Sequence, residues 1–285
     1  MKRKVLSMML AVPMVAALSG CAGGSGSTSG SNTSDASSVS ASSASDTTAD
    51  SASASVSAES EAADSADVMT YDEYMTADLD TEVTIQAYVQ AKQSWWEDEG
   101  QGKATVYAQD KNGAYFLYDM ACAEEDYDLL TQGTKIQVTG YKSEWSGEVE
   151  IIDGSFEIIE GDEYIAPALD VTDMLGTDDL INYQNQFVEF KGLTVEPANP
   201  DSGDTTTAFL YNYDGSGSEG DDLYFNASYN GQTYTFVIES YLCDSSTEVY
   251  SAVKNLQVGQ TIDMEGFLYW YEGVNPHITS VTVVE

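Results

Sequence analysis

Between Val83 and Ala91 apolar and polar residues alternate without a break: Val83, Ile85, Ala87, Val89 and Ala91 against Thr84, Gln86, Tyr88 and Gln90. A period of two predicts a strand with one buried face. Further strands are predicted at about 103–109 and 114–120, joined by Asp110-Lys111-Asn112-Gly113, a turn sequence suited to a hairpin. Thr70-Tyr71-Asp72-Glu73 has capping-box spacing and predicts a short leading helix. Glu124 to Leu130 reads as a second short helix, stopped by Gly133, and strands at about 134–141 and 148–159 close the unit.

The same order then repeats. Phe187 to Leu193 matches the first strand, Asn230-Gly231 marks a hairpin, and Ser245 to Glu248 repeats the capping-box spacing before a helix with Val249, Val253 and Leu256 on one face. Leu130-Thr-Gln-Gly-Thr-Lys-Ile-Gln-Val-Thr-Gly-Tyr141 runs parallel to Leu256-Gln-Val-Gly-Gln-Thr-Ile-Asp-Met-Glu-Gly-Phe267. Each stretch is followed by a tryptophan (Trp145, Trp270), a glycine (Gly147, Gly273) and a final strand. So many matches in one register indicate a tandem duplication.

Five strands with a helix between the third and fourth is the order of the OB-fold, a small, partly open barrel. The predicted class is mainly β: two tandem OB-fold-like five-stranded barrels, each with a short helix between strands 3 and 4, at 68–162 and 163–285. The segments YVQAKQSWW, GTKIQVTGYKSEWSGEVEI and IDMEGFLYWYEGVNPHIT resemble those of uncharacterised exported OB-fold-like lipoproteins of clostridial gut bacteria. That resemblance spans the whole chain. It implies the fold and an extracytoplasmic location, and brings no catalytic residues with it.

Lys2, Arg3 and Lys4 precede an apolar stretch from Val5 to Leu18, shorter than a comfortable bilayer span and typical of an export signal. Leu18-Ser19-Gly20-Cys21 resembles the lipobox of bacterial lipoproteins, which predicts removal of residues 1–20 and lipidation of Cys21. Two acyl chains on that cysteine hold a protein stably at a membrane. After Cys21, residues 22 to about 67 are nearly all Ser, Ala, Gly, Thr and Asp, with no aromatic residue, and read together with Cys21 as a stalk over 21–67. This stretch cannot bury enough apolar surface to offset its ordering entropy and is expected to be disordered, with a reach of roughly 35–40 Å. The expected location is the outer face of a bacterial cell membrane.

The chain has 10 Lys+Arg against 48 Asp+Glu, and loss of residues 1–20 leaves seven lysines and no arginine, a charge of −41. Nucleic acid is disfavoured by this balance, because phosphates are held mainly by Lys and Arg. Without arginine, bidentate clamps on phosphate or carboxylate are missing as well.

Chemistry is sparse. Cys122 and Cys243 occupy equivalent places before each helix and read as small buried residues or as a disulfide between modules. The only histidine, His277, has no nucleophile elbow to serve and reads as structural. Carboxylates are too numerous for any pair to point to a glycosidase. Asp214, Glu219, Asp221 and Asp222 are hard oxygen ligands that suit a weak calcium site, or the solvated loop that such a segment also resembles. No cofactor is expected otherwise.

The aromatic residues carry more. Trp95 and Trp96 fall in the loop between strands 1 and 2 of the first module. Trp145 falls in its strand 4–5 loop, and Trp270 and Tyr271 in the same loop of the second. These loops flank the usual OB ligand face. The rings either form a stacking platform or fold back to plug the barrel ends. The expected role is a non-enzymatic binding module for a glycan, peptide or protein. Nucleic-acid binding is the alternative, and an extracytoplasmic hydrolase a further one.

Overall fold

The computed structural model describes residues 67–284. The predicted signal peptide, the lipidated Cys21 and all but the last residue of the stalk lie outside the described residues.

Helix α1 (Tyr71–Thr76) forms where the capping box predicts it. Thr70 Oγ1 accepts from the Glu73 amide, and the Glu73 carboxylate accepts from the Thr70 amide at 2.8 Å. Its last carbonyls are satisfied from outside the helix, where Lys142 Nζ donates to the carbonyls of Tyr74, Met75 and Ala77. A lysine at a helix C-terminus also suits the negative end of the dipole.

The first barrel follows as β1 (Glu82–Lys92), β2 (Trp96–Asp98), β3 (Gln101–Gln109), β4 (Ala114–Ala121), α2 (Glu124–Tyr127), β5 (Lys135–Trp145) and β6 (Glu148–Ile158). The sheet runs β1-β5-β6-β4-β3, and β3 pairs back onto β1, closing a five-stranded barrel. All pairings are antiparallel except β4 with β6. Val83, Ile85, Ala87 and Val89 point inward as the alternation requires. Gln90, on the polar face, is buried too. Its side chain donates to the Tyr164 carbonyl and accepts from the Ala166 amide, so the chain leaving the barrel covers it.

The second barrel is built from β7 (Leu169–Asp170), β8 (Phe187–Glu196), β9 (Phe209–Tyr211), β10 (Leu223–Tyr229), β11 (Gln232–Ile238), α3 (Glu248–Lys254), β12 (Thr261–Phe267) and β13 (His277–Val284). Its order is β8-β12-β13-β11-β10, closed by β10 on β8, with β11 parallel to β13. Both barrels therefore share one topology, the OB-like one. A glycine at the same point of each repeat marks the duplication in the backbone. A Cβ on Gly140 would meet Ile152 O at 2.8 Å, and one on Gly266 would meet His277 O at 2.2 Å. Each sits where its strand is bulged against the last strand of the barrel.

Two helices depart from expectation. The one predicted over 124–130 is a single turn, since Ala123 offers no side-chain cap. α3 is capped by Thr247 rather than Ser245, its Oγ1 accepting from the Tyr250 amide. Each barrel has its own core, as the repeat implies. A third buried cluster joins them, in which Tyr107 and Phe116 of the first barrel pack on Phe267 of the second. The Tyr107 and Phe267 rings stack at 4.3 Å.

Candidate functional site

The β5–β6 turn of the first barrel and the β12–β13 loop of the second meet at the seam between the barrels. Ser146-Gly147 and Glu272-Gly273 are tight turns with positive φ at both residues (53° and 93°, 53° and 148°), the conformation that makes a two-residue hairpin. The turns dock on one another. The Glu272 amide donates to Ser146 O at 2.7 Å, and the Trp270 amide to Glu148 Oε2 at 2.9 Å. Gln184 clamps the first turn by donating to Gly147 O at 2.8 Å and accepting from Val149 N at 3.1 Å. Trp145 and Tyr271 each stand two residues before the turn glycine, and their rings lie 5.0 Å apart. The repeat partner of Trp145 is therefore Tyr271, not Trp270. The Trp270 ring covers Gly147, where a Cβ would come within 2.9 Å of it.

At the strand 1–2 loop, the two neighbouring tryptophans go to opposite fates. Trp95 packs on the first core and donates from Nε1 to Cys122 O at 3.0 Å. Gly102 makes room, since a Cβ there would be 2.8 Å from the Trp95 ring. Trp96 lies on β2, which pairs with the start of β3 as a short arm. Its ring is 40% exposed, with Nε1 on Asp119 Oδ1 at 3.2 Å. Lys103 is its cross-strand partner. Beside this arm is a cavity of about 470 Å³ lined by Trp95, Glu97, Gly102, Cys122 and Glu124. The two readings left open by the sequence thus divide by residue. Trp95 and Trp270 fold back onto the cores, while Trp96, Trp145 and Tyr271 present rings to solvent.

A cluster of titratable groups in the seam escaped the sequence reading. His277 is buried and shares a 2.9 Å hydrogen bond with Tyr107 Oη. Tyr269 stacks on its ring at 4.3 Å. Burial pushes the His277 pKa down to about 3, so the ring is neutral. Burial pushes Glu148 up to about 8, Glu150 to about 7 with Asp119 adding to it, and Glu239 to about 7 with Asp222 adding. Among 48 acids, nothing in the sequence singles these three out.

The remaining candidates are dispersed. Asp214 accepts from Ser216 N, Asp221 from Ser218 N and Asp222 from Ser240 N, while Glu219 pairs with Lys254 Nζ at 2.6 Å. The four carboxylates serve four different partners, and among the described residues no three His, Cys, Asp or Glu side chains converge as a metal site. Cys122 and Cys243 belong to different cores and do not pair. Burial raises their thiols to about 11 and about 12.

The sequence matches no family model and no curated protein. Among solved structures, the chain is similar in fold to the "p204 HINb domain" (10% identity, TM-score 0.33, 73% of this chain and 100% of that one). It is similar also to a "murine DNA binding protein bound with ds DNA" (10%, 0.33, 71% and 98%). A third is "a Replication Protein A Heterotrimer Bound to ssDNA" (13%, 0.32), of which this chain spans about half, 51%, with 74% of itself. The expected ranking is corrected by these findings. Two of the three structures are described as bound to DNA, which runs against the expected glycan, peptide or protein ligand and against the expectation that nucleic acid is disfavoured. The physical reason lies in what net charge measures. A formal charge summed over the chain governs long-range steering and solubility. It does not describe an exposed ring with a lysine opposite it on one arm of a barrel.

Proposed function

We propose that this chain binds single-stranded nucleic acid through its bases, on the β2–β3 arm of the first barrel, with few contacts to the phosphates. The observation that carries this reading is the placement of Trp96: an exposed ring on the arm that follows the first barrel strand, opposite Lys103 and beside a cavity of about 470 Å³. Base stacking on such a ring contributes roughly 1–3 kcal/mol per base and tolerates any sequence. Glu97 and Glu124 at the cavity can accept from exocyclic amino groups, as carboxylates do from cytosine. Trp145 and Tyr271 add a second pair of rings at the seam.

The backbone contribution is small on this reading. Lys191 and Lys254 are spent on Glu189, Asp170 and Glu219, and Lys142 on α1. Lys92 is held on Tyr127, so with Lys103 as the cation that meets a phosphate beside Trp96 the slope of log K against log salt should be about −0.7, the value for a single phosphate on a single strand. Stacking without phosphate neutralisation gives weak, sequence-tolerant binding. The reading assigns no catalytic residue. It includes the lipid anchor at Cys21, with the 21–67 tether carrying the barrels away from the membrane face.

The test is quenching of tryptophan emission by a short oligothymidylate at low and physiological salt, for the wild type and for Trp96→Ala. Quenching with a shallow salt slope that Trp96→Ala removes supports the reading. No quenching at either salt overturns it.

A further inference from the structure

Glu148 opens β6 at the seam and is fully buried. Its Oε2 accepts from the Trp270 amide of the other barrel at 2.9 Å, while Oε1 is buried with no hydrogen-bond partner. The Asn185 side chain, 3% exposed, lies against the same carboxyl. Its Nδ2 donates to Val149 O at 3.2 Å, and its Oδ1 is likewise buried without a partner. Two buried acceptor oxygens, one on each of these neighbouring side chains, are therefore without a hydrogen, and burial outweighs what Asn185 and the Trp270 amide do to favour the charged carboxyl. Leaving a carboxylate so is far more costly than leaving a neutral acid, because Oε1 has no hydrogen-bond partner and the single Trp270 donor on Oε2 does not offset the lost water.

The surroundings supply no compensating cation. Glu150 faces Glu148 from the same strand, Tyr74 from α1, Tyr107 from β3 and Tyr269 from the stretch after β12. Glu239 stands beyond Tyr107 and Tyr269, and His277, bonded to Tyr107, is neutral. Each of these is an acid or a neutral group, so each disfavours a negative charge on Glu148 or leaves it unrelieved.

We propose that the two barrels are latched by a proton: in the closed seam Glu148 is a neutral carboxylic acid, donating from Oε1 to Asn185 Oδ1 while Oε2 accepts from Trp270. Loss of that proton to solvent leaves a buried carboxylate beside Asn185 and loosens the docking of the two hairpin turns. Trp145 and Tyr271 ride on those turns, so the latch sets whether their rings stay paired. It does not depend on what the barrels bind.

Hydrogen exchange of the Trp270 and Glu272 amides in the full chain reads the latch, since both donate across the seam. Between the carboxyl's ordinary pKa of 4.5 and its value in the seam of about 8, the protection factor should fall by up to tenfold per pH unit, then level off. In Glu148→Gln, whose amide keeps a hydrogen at every pH, protection should stay flat. A wild-type protection factor that is constant over this window, or a Gln variant that falls like the wild type, overturns the latch. Carbon-13 titration of the Glu148 carboxyl in the wild type decides the matter should the variant fail to fold. A carboxyl titrating well above its ordinary value supports the latch, and one titrating at 4.5 overturns it.

Discussion

Trp95 and Trp96 are adjacent and chemically identical, yet replacing each by alanine should have opposite consequences. Trp95 is half-buried on the first core and its indole hydrogen bond to Cys122 O would be lost. Full truncation of a core tryptophan costs about 3–5 kcal/mol, and a half-buried ring keeps about half of that. The lost hydrogen bond adds about 1 kcal/mol, giving about 2.5–3.5 kcal/mol for Trp95→Ala. For a unit of this size each kcal/mol lowers Tm by about 2–4 °C, so the shift should be about 5–14 °C. Trp96 is exposed and loses only a 3.2 Å bond to Asp119, so Trp96→Ala should stay within about 0.5 kcal/mol of the wild type. Calorimetric unfolding of the two variants, followed by oligonucleotide titration of the folded proteins, separates the roles. Equal destabilisation by both, or loss of oligonucleotide binding in Trp95→Ala alone, would refute the assignment of one ring to the core and the other to the ligand.

Other outcomes follow from single features. Glu148 binds its proton more tightly folded than unfolded, so its contribution to stability is complete below pH 4.5 and is lost as pH rises towards about 8. The slope is about 1.4 kcal/mol per pH unit, and Glu150 and Glu239 act in the same direction while buried His277 opposes them only below pH 6.5, so urea midpoints should be higher at pH 5 than at pH 8. Midpoints that rise with pH would contradict the buried seam. Cys21→Ala should leave the protein unlipidated and either unprocessed or released from membranes; unchanged retention with normal processing would remove the anchor. Cys122 and Cys243 should react with a thiol reagent only on unfolding, and reducing agent should not move Tm, whereas a Tm lowered by reductant would show a disulfide.

Much of the fold could be read from the chain because the signals were local. The alternation from Val83 to Ala91 defined β1, the Thr70–Glu73 box defined α1, and the parallel stretches ending in Tyr141 and Phe267 revealed two barrels of one plan. What stayed hidden depends on contacts between distant segments. Tyr107, Phe116 and Phe267 pattern as ordinary core positions of their own repeats, and nothing local says that they join the barrels. Glu148 stands in a hairpin acid-apolar-acid run that reads as a solvated face, until docking of the second barrel removes its water. The fates of Trp95 and Trp96 depended on β2, a three-residue strand too short to leave a period in the sequence.

The most direct measurement is the affinity of the protein for a short single-stranded oligonucleotide as a function of salt, read by tryptophan emission with Trp96→Ala as the control. Stacking on Trp96 with Lys103 as the main cation predicts weak binding, a log–log slope of about −0.7 and loss of the signal in the variant. Binding that is absent at low salt, or that persists unchanged in Trp96→Ala, would contradict it.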